Sequence, residues 1–162
     1  PVFSAQQLKG TFDELKGKPV FPHYTQKAPG AQRYTWSLVV PDQWTSGFFP
    51  GLLWQMYNWT GDAAWRKRAE QYTTPLRHES KHHDLGMKMY YSFGLGYELT
   101  GEPEYLQALR DASAHLAKKF VPKVGAINCW GRNLVIIDTL INIQLWAYTY
   151  HKVRPDERAE FR

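Results

Sequence analysis

Two stretches of this chain, 40 residues apart, carry nearly the same pattern. Tyr57, Thr60, Gly61 and Leu76 recur as Tyr97, Thr100, Gly101 and Leu116, and Trp65 is answered by Tyr105. Each unit reads as an aromatic helix, a tight Thr-Gly-acid turn and a more charged second helix. A looser third copy starts at Asp138 and turns at Val153-Arg154-Pro155-Asp156. A period of this length means stacked αα units, because one helical hairpin cannot bury its own apolar face. Such stacks either extend as an open solenoid or close into a ring. Gly47, Gly51, Gly86, Gly94 and Gly96 fall within the helices beside bulky aromatics, where each costs about 0.5–1 kcal/mol relative to alanine. Small residues in that setting suit close helix approach in a crowded ring interior. The expected fold is therefore all-α, a closed toroid of helical hairpins, with about three hairpins in 162 residues.

Apolar periodicity predicts helices over about 4–15, 46–59, 62–78, 85–99, 103–120 and 136–152. Residues 16–41, rich in Pro and Gly, read as an irregular or extended lead-in with one short strand near 34–40, and 121–133 as a loop. Arg154-Pro155-Asp156 restarts a helix towards Arg162. The length fits one domain or part of a larger one. Hydrophobic residues make up 43% of the chain, enough for a packed core, yet no apolar stretch approaches the roughly 18 residues of a membrane span. Pro1 opens the chain with neither an initiator Met nor a signal-peptide pattern, which fits a leader removed or left outside the sequence. A single cysteine, Cys129, excludes an internal disulfide and leaves the compartment open, as a bystander thiol with no activating neighbour in sequence.

The net charge of +5 favours acidic partners weakly. Its densest cluster, Arg66-Lys67-Arg68, falls on one helix and reads as a solvated face, so no nucleic-acid partner is expected. Aromatic content is the unusual quantity: 15%, with seven Trp and ten Tyr, more than core packing usually needs. Aromatic faces stack on sugar rings, so a carbohydrate cleft is one use and a large aromatic core the other.

Two aspartates stand where a soluble protein rarely puts a charge. Asp138 follows Leu134-Val135-Ile136-Ile137 and precedes another apolar run; Asp84 lies in His82-His83-Asp84-Leu85-Gly86, ahead of an aromatic helix. Burying an ionised carboxylate costs several kcal/mol unless it is paired, hydrogen-bonded or protonated. The two read either as a working pair for acid–base chemistry or as ordinary helix caps. An apolar setting favours the neutral acid, and Val135, Ile136, Ile137 and Trp146 are expected to supply one around Asp138. His82-His83 does not suggest a metal site, since adjacent side chains on a helix do not converge on one ion; no metal or other cofactor is expected.

The stretches that carry these features are Trp44-Thr45-Ser46-Gly47-Phe48-Phe49-Pro50-Gly51, then His83-Asp84-Leu85-Gly86 with Ser92-Phe93-Gly94 and Gly96 to Gly101, then Cys129-Trp130-Gly131 leading to Ile136-Ile137-Asp138 and Asn142. At these residues, and in this order from about Trp36 onward, the sequence resembles the unsaturated glucuronyl hydrolases. The resemblance implies an (α/α)6 toroid, of which residues 1–162 would be the N-terminal part of a single catalytic domain. It implies a glycoside hydrolase that removes a 4,5-unsaturated glucuronic acid from the non-reducing end of lyase-generated oligosaccharides, by hydrating the C4=C5 double bond. Asp138 then matches the general acid/base and Asp84 the second essential carboxylate. His83 and Trp44 match residues lining the site, and Trp130 a stacking platform. An unsaturated uronic-acid oligosaccharide is the implied partner, in the bacterial periplasm or cytoplasm. The chain departs from the family in a short loop between Trp130 and Asp138, in Leu140-Ile141 where two methionines are common, and in lacking a second barrel half; alone it is expected to be inactive. The remaining alternatives are an unsaturated rhamnogalacturonyl hydrolase and a non-catalytic α-solenoid that binds a glycan or peptide.

Overall fold

In the computed structural model, which describes residues 2–78, 83–130, 134–156 and 158, the repeat consists of two helical hairpins and the first helix of a third. Helix α1 (Val2–Leu15) leads to strands β1 (Phe21–Gln26) and β2 (Thr35–Val39). A 3-10 turn, Trp44–Gly47, runs into α2 (Phe48–Thr60), and α3 (Ala63–Thr73) completes the first hairpin. The second hairpin pairs α4, which is π-helical over Gly86–Gly94 and α-helical over Leu95–Thr100, with α5 (Pro103–Ala117). A two-residue ladder, β3 (Phe120–Val121) with β4 (Ala126–Ile127), precedes α6 (Thr139–Lys152). Helix α4 packs between α2 and α6.

The repeated residues do the same work in both turns. Gly61 and Gly101 adopt the left-handed conformation, φ 66° and 69°, and their amides donate to Tyr57 O and Tyr97 O at 2.8 Å. Thr60 and Thr100 donate back to Met56 O and Gly96 O, both at 2.7 Å. A side chain in the left-handed region costs about 1–2 kcal/mol, so glycine is what lets each helix end and the chain reverse. Asp62 then caps α3 through the Ala64 amide at 2.8 Å, and Pro103 opens α5 where no donor is needed.

The core is aromatic at its joints. Tyr72 makes T-shaped ring contacts with Phe49, Phe12 and Phe21 at 5.0, 5.8 and 5.8 Å, which fastens α1 and the strands to the first hairpin. Trp54 is fully buried, donates to Thr73 Oγ1 at 2.9 Å, and meets Tyr105 of the second hairpin at 6.1 Å. Burial, followed by the nearby Glu70 charge, pushes the Tyr105 phenol up to about 12.

Several boundaries differ from the sequence reading. The lead-in holds two strands rather than one, paired antiparallel from Phe21↔Val39 to Gln26↔Thr35. Pro22 and the register slip between Pro22 and Tyr24 destroy the alternation by which β1 would have been recognised. Helix α3 stops at Thr73 instead of running to 78, with Pro75 in the 3-10 turn Thr74–Leu76 that follows. Helix α6 starts at Thr139, three residues later than expected, because Leu134 is held in a bridge that its carbonyl makes with the Cys129 amide at 2.9 Å. After Val153 the described chain makes only a short 3-10 turn, and the rest of the helix expected towards Arg162 lies outside the described residues. No helix among the described residues is long and apolar enough to cross a membrane.

One polar cluster ties α4 to α6. Tyr148 donates to Glu98 Oε1 at 2.7 Å, and Lys152 pairs with the same oxygen. The Lys152 and Tyr148 bonds hold the Glu98 carboxyl below the usual range. A carboxyl lowered by folding adds stability above its unfolded value, and loses it as pH falls through its native one. Glu98→Gln is expected to lower the melting temperature near neutral pH, by the equivalent of roughly 0.5 kcal/mol, since the side chain is 45% exposed. The difference from wild type should begin to shrink as pH falls below the ordinary value of 4.5 and vanish only below the lowered native value; thermal melts across that range check it.

Candidate active site

Asp138 flanks the start of α6, yet its side chain makes no capping bond with its own helix. Asp84 and His83 precede the π-helical part of α4, and both are buried, at 7% and 4% exposure. His83 Nε2 and Asp84 Oδ1 lie 2.9 Å apart. One ligand-capable atom from each of His83, Asp84 and Asp138 lies within 4.8 Å of the other two. Residues 54 positions apart in sequence thus form one cluster, in which half-buried Asp138 is more open to solvent than the pair behind it.

Main-chain packing sets this convergence. Gly86 N donates to Asn142 Oδ1 at 2.8 Å, and Asn142 Nδ2 donates to His83 O. A Cβ on Gly86 would fall 2.4 Å from Ile141 O and 2.7 Å from Asn142 N. The start of α4 therefore lies directly against the first turn of α6. Gly47 makes the equivalent approach on the other side, where a Cβ would fall 2.4 Å from Lys88 O. Fully buried Lys88 reinforces that contact by donating from Nζ to Asp42 O at 2.9 Å.

Trp130 presents its ring to His83, with centroids 4.4 Å apart and planes at 73°, while remaining 56% exposed. Its φ of 52° is left-handed, a conformation that costs a bulky residue about 1–3 kcal/mol and that clusters at functional sites. Trp44 belongs to an adjacent aromatic row. Its ring neighbours are His23 and Phe48, each at 6.0 Å, and Phe48 meets Tyr91 at 5.5 Å. Thr45, next to Trp44, is bonded to His23 Nδ1 at 2.9 Å.

The apolar surround expected for Asp138 is not supplied by its sequence neighbours. Val135 and Ile137 are 48% and 77% exposed, and Trp146 packs instead on Phe120 at 6.0 Å. The non-helical 134–137 segment turns Val135 and Ile137 outward and leaves Ile136 half-buried, and the His83–Asp84 pair is what stands against Asp138. Metal spacing is also less absent than residue order suggested, since His83, Asp84 and Asp138 offer one imidazole nitrogen and two carboxylate oxygens. A cation there would have to displace the His83–Asp84 contact. His82 and Gly131, quoted with the motifs, lie outside the described residues. Asn142 stands in the quoted motif without a role; its sequence signal is a polar residue inside the apolar run Leu140-Ile141-Asn142-Ile143, four residues after Asp138 and so on the same helical face.

No family model matches the chain. An unsaturated glucuronyl hydrolase of Formosa agariphila is 30% identical over a 152-residue alignment that covers 85% of this chain and 37% of the relative. An unsaturated chondroitin disaccharide hydrolase of Streptococcus pneumoniae is 31% identical over 122 residues, covering 68% of this chain and 31% of the relative. Among solved structures, an unsaturated glucuronyl hydrolase specific for heparin superposes with a TM-score of 0.77 at 30% identity, over 98% of this chain and 43% of that one. The unsaturated glucuronyl hydrolase of a Bacillus species gives 0.75 at 26% identity, over 96% and 45%. The helical pairs seen here are thus part of an α/α toroid, and the chain spans less than half the length of these relatives.

Proposed function

The chain belongs to the unsaturated glucuronyl hydrolase family, and on that basis we propose that residues 1–162 are the N-terminal part of one toroidal catalytic domain whose reaction centre is Asp138 with Asp84. The proposed substrate is an oligosaccharide ending in a 4,5-unsaturated uronic acid. Asp138 gives its proton to C4, and the C4=C5 π electrons form the new C–H bond. The cation left at C5 is shared with the ring oxygen and lies beside the Asp84 carboxylate, which also holds ring hydroxyls. Water adds at C5 and returns a proton to Asp138. The hemiketal opens and the rest of the sugar chain leaves. Trp130 offers a face for the sugar ring, His83 orients Asp84, and Trp44 lines the approach.

The observation that carries this reading is the cluster of His83, Asp84 and Asp138 within 4.8 Å. Carboxyl groups this close leave no room for the intervening water of an inverting glycosidase, which needs roughly 6.5–9.5 Å. They do suit a pair in which one member carries the proton and the other the charge. The same spacing approaches that of retaining glycosidases, about 5–5.5 Å, so direct displacement at C1 is the second reading. A glycan-binding solenoid gives no reason for two carboxylates to converge at a partly desolvated point.

The test is ultraviolet absorbance of an unsaturated glucuronyl disaccharide, whose conjugated double bond disappears on hydration. Full-length protein is expected to remove the signal, and the 162-residue chain alone to leave it. Equal activity of the two would sink the half-domain reading. A signal that persists with full-length protein, across glucuronyl, chondroitin-derived and pectin-derived substrates, would sink the enzymatic one.

A further inference from the structure

We propose that Asn142 is a positioning residue that sets the Asp84 carboxylate against Asp138, an inference that rests on the reading of these two aspartates as the reacting pair. Asn142 is 1% exposed and lies four residues after Asp138 on α6, so the two share a helical face. Its carboxamide spans both ends of the His83–Gly86 segment: Nδ2 donates to His83 O, and Oδ1 accepts from Gly86 N at 2.8 Å. Asp84 sits between those two anchors. One side chain on the helix that begins at Asp138 thus fixes the main chain on either side of Asp84.

The carboxamide is suited to this because it offers a donor and an acceptor from one planar group. Aspartate would keep the acceptor for Gly86 and lose the donor for His83, and alanine would lose both. Neither anchor touches the reacting atoms, so Asn142 acts only through where Asp84 stands. A displacement of about 1 Å in a reacting group is enough to cost on the order of 10²-fold in rate.

The experiment is a double-mutant cycle in the full-length protein between Asn142→Ala and Asp84→Asn, with kcat, KM, the pH–rate profile and melting temperature measured for each variant. Asn142→Ala is expected to lower kcat by about 10²-fold, hold KM within about twofold and shift the pH–rate profile, while costing less than about threefold in the Asp84→Asn background. Asn142→Ser, which adds no charge at this buried position and keeps a short polar group, is expected to fold and to lie between wild type and the alanine variant; it decides the matter if the alanine variant does not fold. Losses that multiply in the cycle, or a rise in KM with kcat unchanged, would overturn the inference. If wild-type protein turns over no unsaturated uronide, the proposed function fails and Asn142 is judged by crystal structures of the wild type and of the folded Asn142 variant. Movement of the Asp84 carboxylate away from Asp138 by about 1 Å in the variant would uphold the positioning role; an unchanged separation would overturn it.

Discussion

Asp138→Asn in the full-length protein is expected to cut turnover of an unsaturated glucuronyl disaccharide by about 10³-fold, within the range seen when a general acid is removed. The amide has nearly the same shape as the acid but cannot release a proton to C4. KM should change by no more than a few-fold, because the substitution leaves Trp130 and the His83–Asp84 pair in place. The melting temperature should also hold. The Asp138 side chain makes no capping bond, so α6 does not depend on it, and a neutral amide of the same shape within 4.8 Å of Asp84 adds no repulsion. Initial rates of absorbance loss and a thermal melt on the same preparation check both halves. A loss below tenfold, or one that follows unfolding, would contradict the role given to Asp138.

Gly86→Ala should have the largest effect on stability. The added Cβ would meet Ile141 O at 2.4 Å, Ile141 C at 2.5 Å and Asn142 N at 2.7 Å. All three are main-chain atoms, so no side chain can swing aside and the start of α4 must move off α6. That movement carries an overpacking cost of about 1–3 kcal/mol. It also breaks the Gly86–Asn142 bond between buried groups, for a further 1–3 kcal/mol or so. At about 2–4 °C per kcal/mol for a chain of this size, the melting temperature should fall by roughly 10 °C. Gly10→Ala is the internal control: nothing lies within 4 Å of its Cβ, and it sits in α1. It should be neutral or stabilise by up to about 1 kcal/mol through helix propensity. Comparable losses in the two variants would mean that the contact between α4 and α6 is not what limits the fold.

The parts of this structure that are legible in the sequence are those with local causes. Thr60-Gly61 and Thr100-Gly101 announce their turns because the glycine conformation and the threonine back-bond depend on residues four positions away. Asp84 and Asp138 stand out because each interrupts or precedes an apolar run, and no helix-capping bond explains Asp138. Their convergence is not legible, because 54 residues separate them and the register is set by Gly86 and Asn142, whose partners lie on the opposite segment. Helical periodicity predicted α4 as an ordinary helix. Its first part, Gly86–Gly94, is instead π-helical and packs against α2 and α6. The apolar run before Asp138 misled in the other direction. Val135 and Ile137 look like core but face outward, because the chain from the Leu134–Cys129 bridge to Thr139 stays out of the helix.

Trapping with methanol tests the central claim most directly. Full-length protein acts on an unsaturated glucuronyl disaccharide in a methanol–water mixture, and the products are read by mass spectrometry and NMR. Hydration chemistry at Asp138 would let methanol take the place of water at C5. The new species would carry a C4 hydrogen from the acid, a methoxy group at C5, no double bond and an intact glycosidic link. Displacement at C1 would instead give a methyl glycoside that keeps its double bond and has lost the second sugar. The account requires the C5 methoxy adduct; the unsaturated methyl glycoside in its place would contradict it.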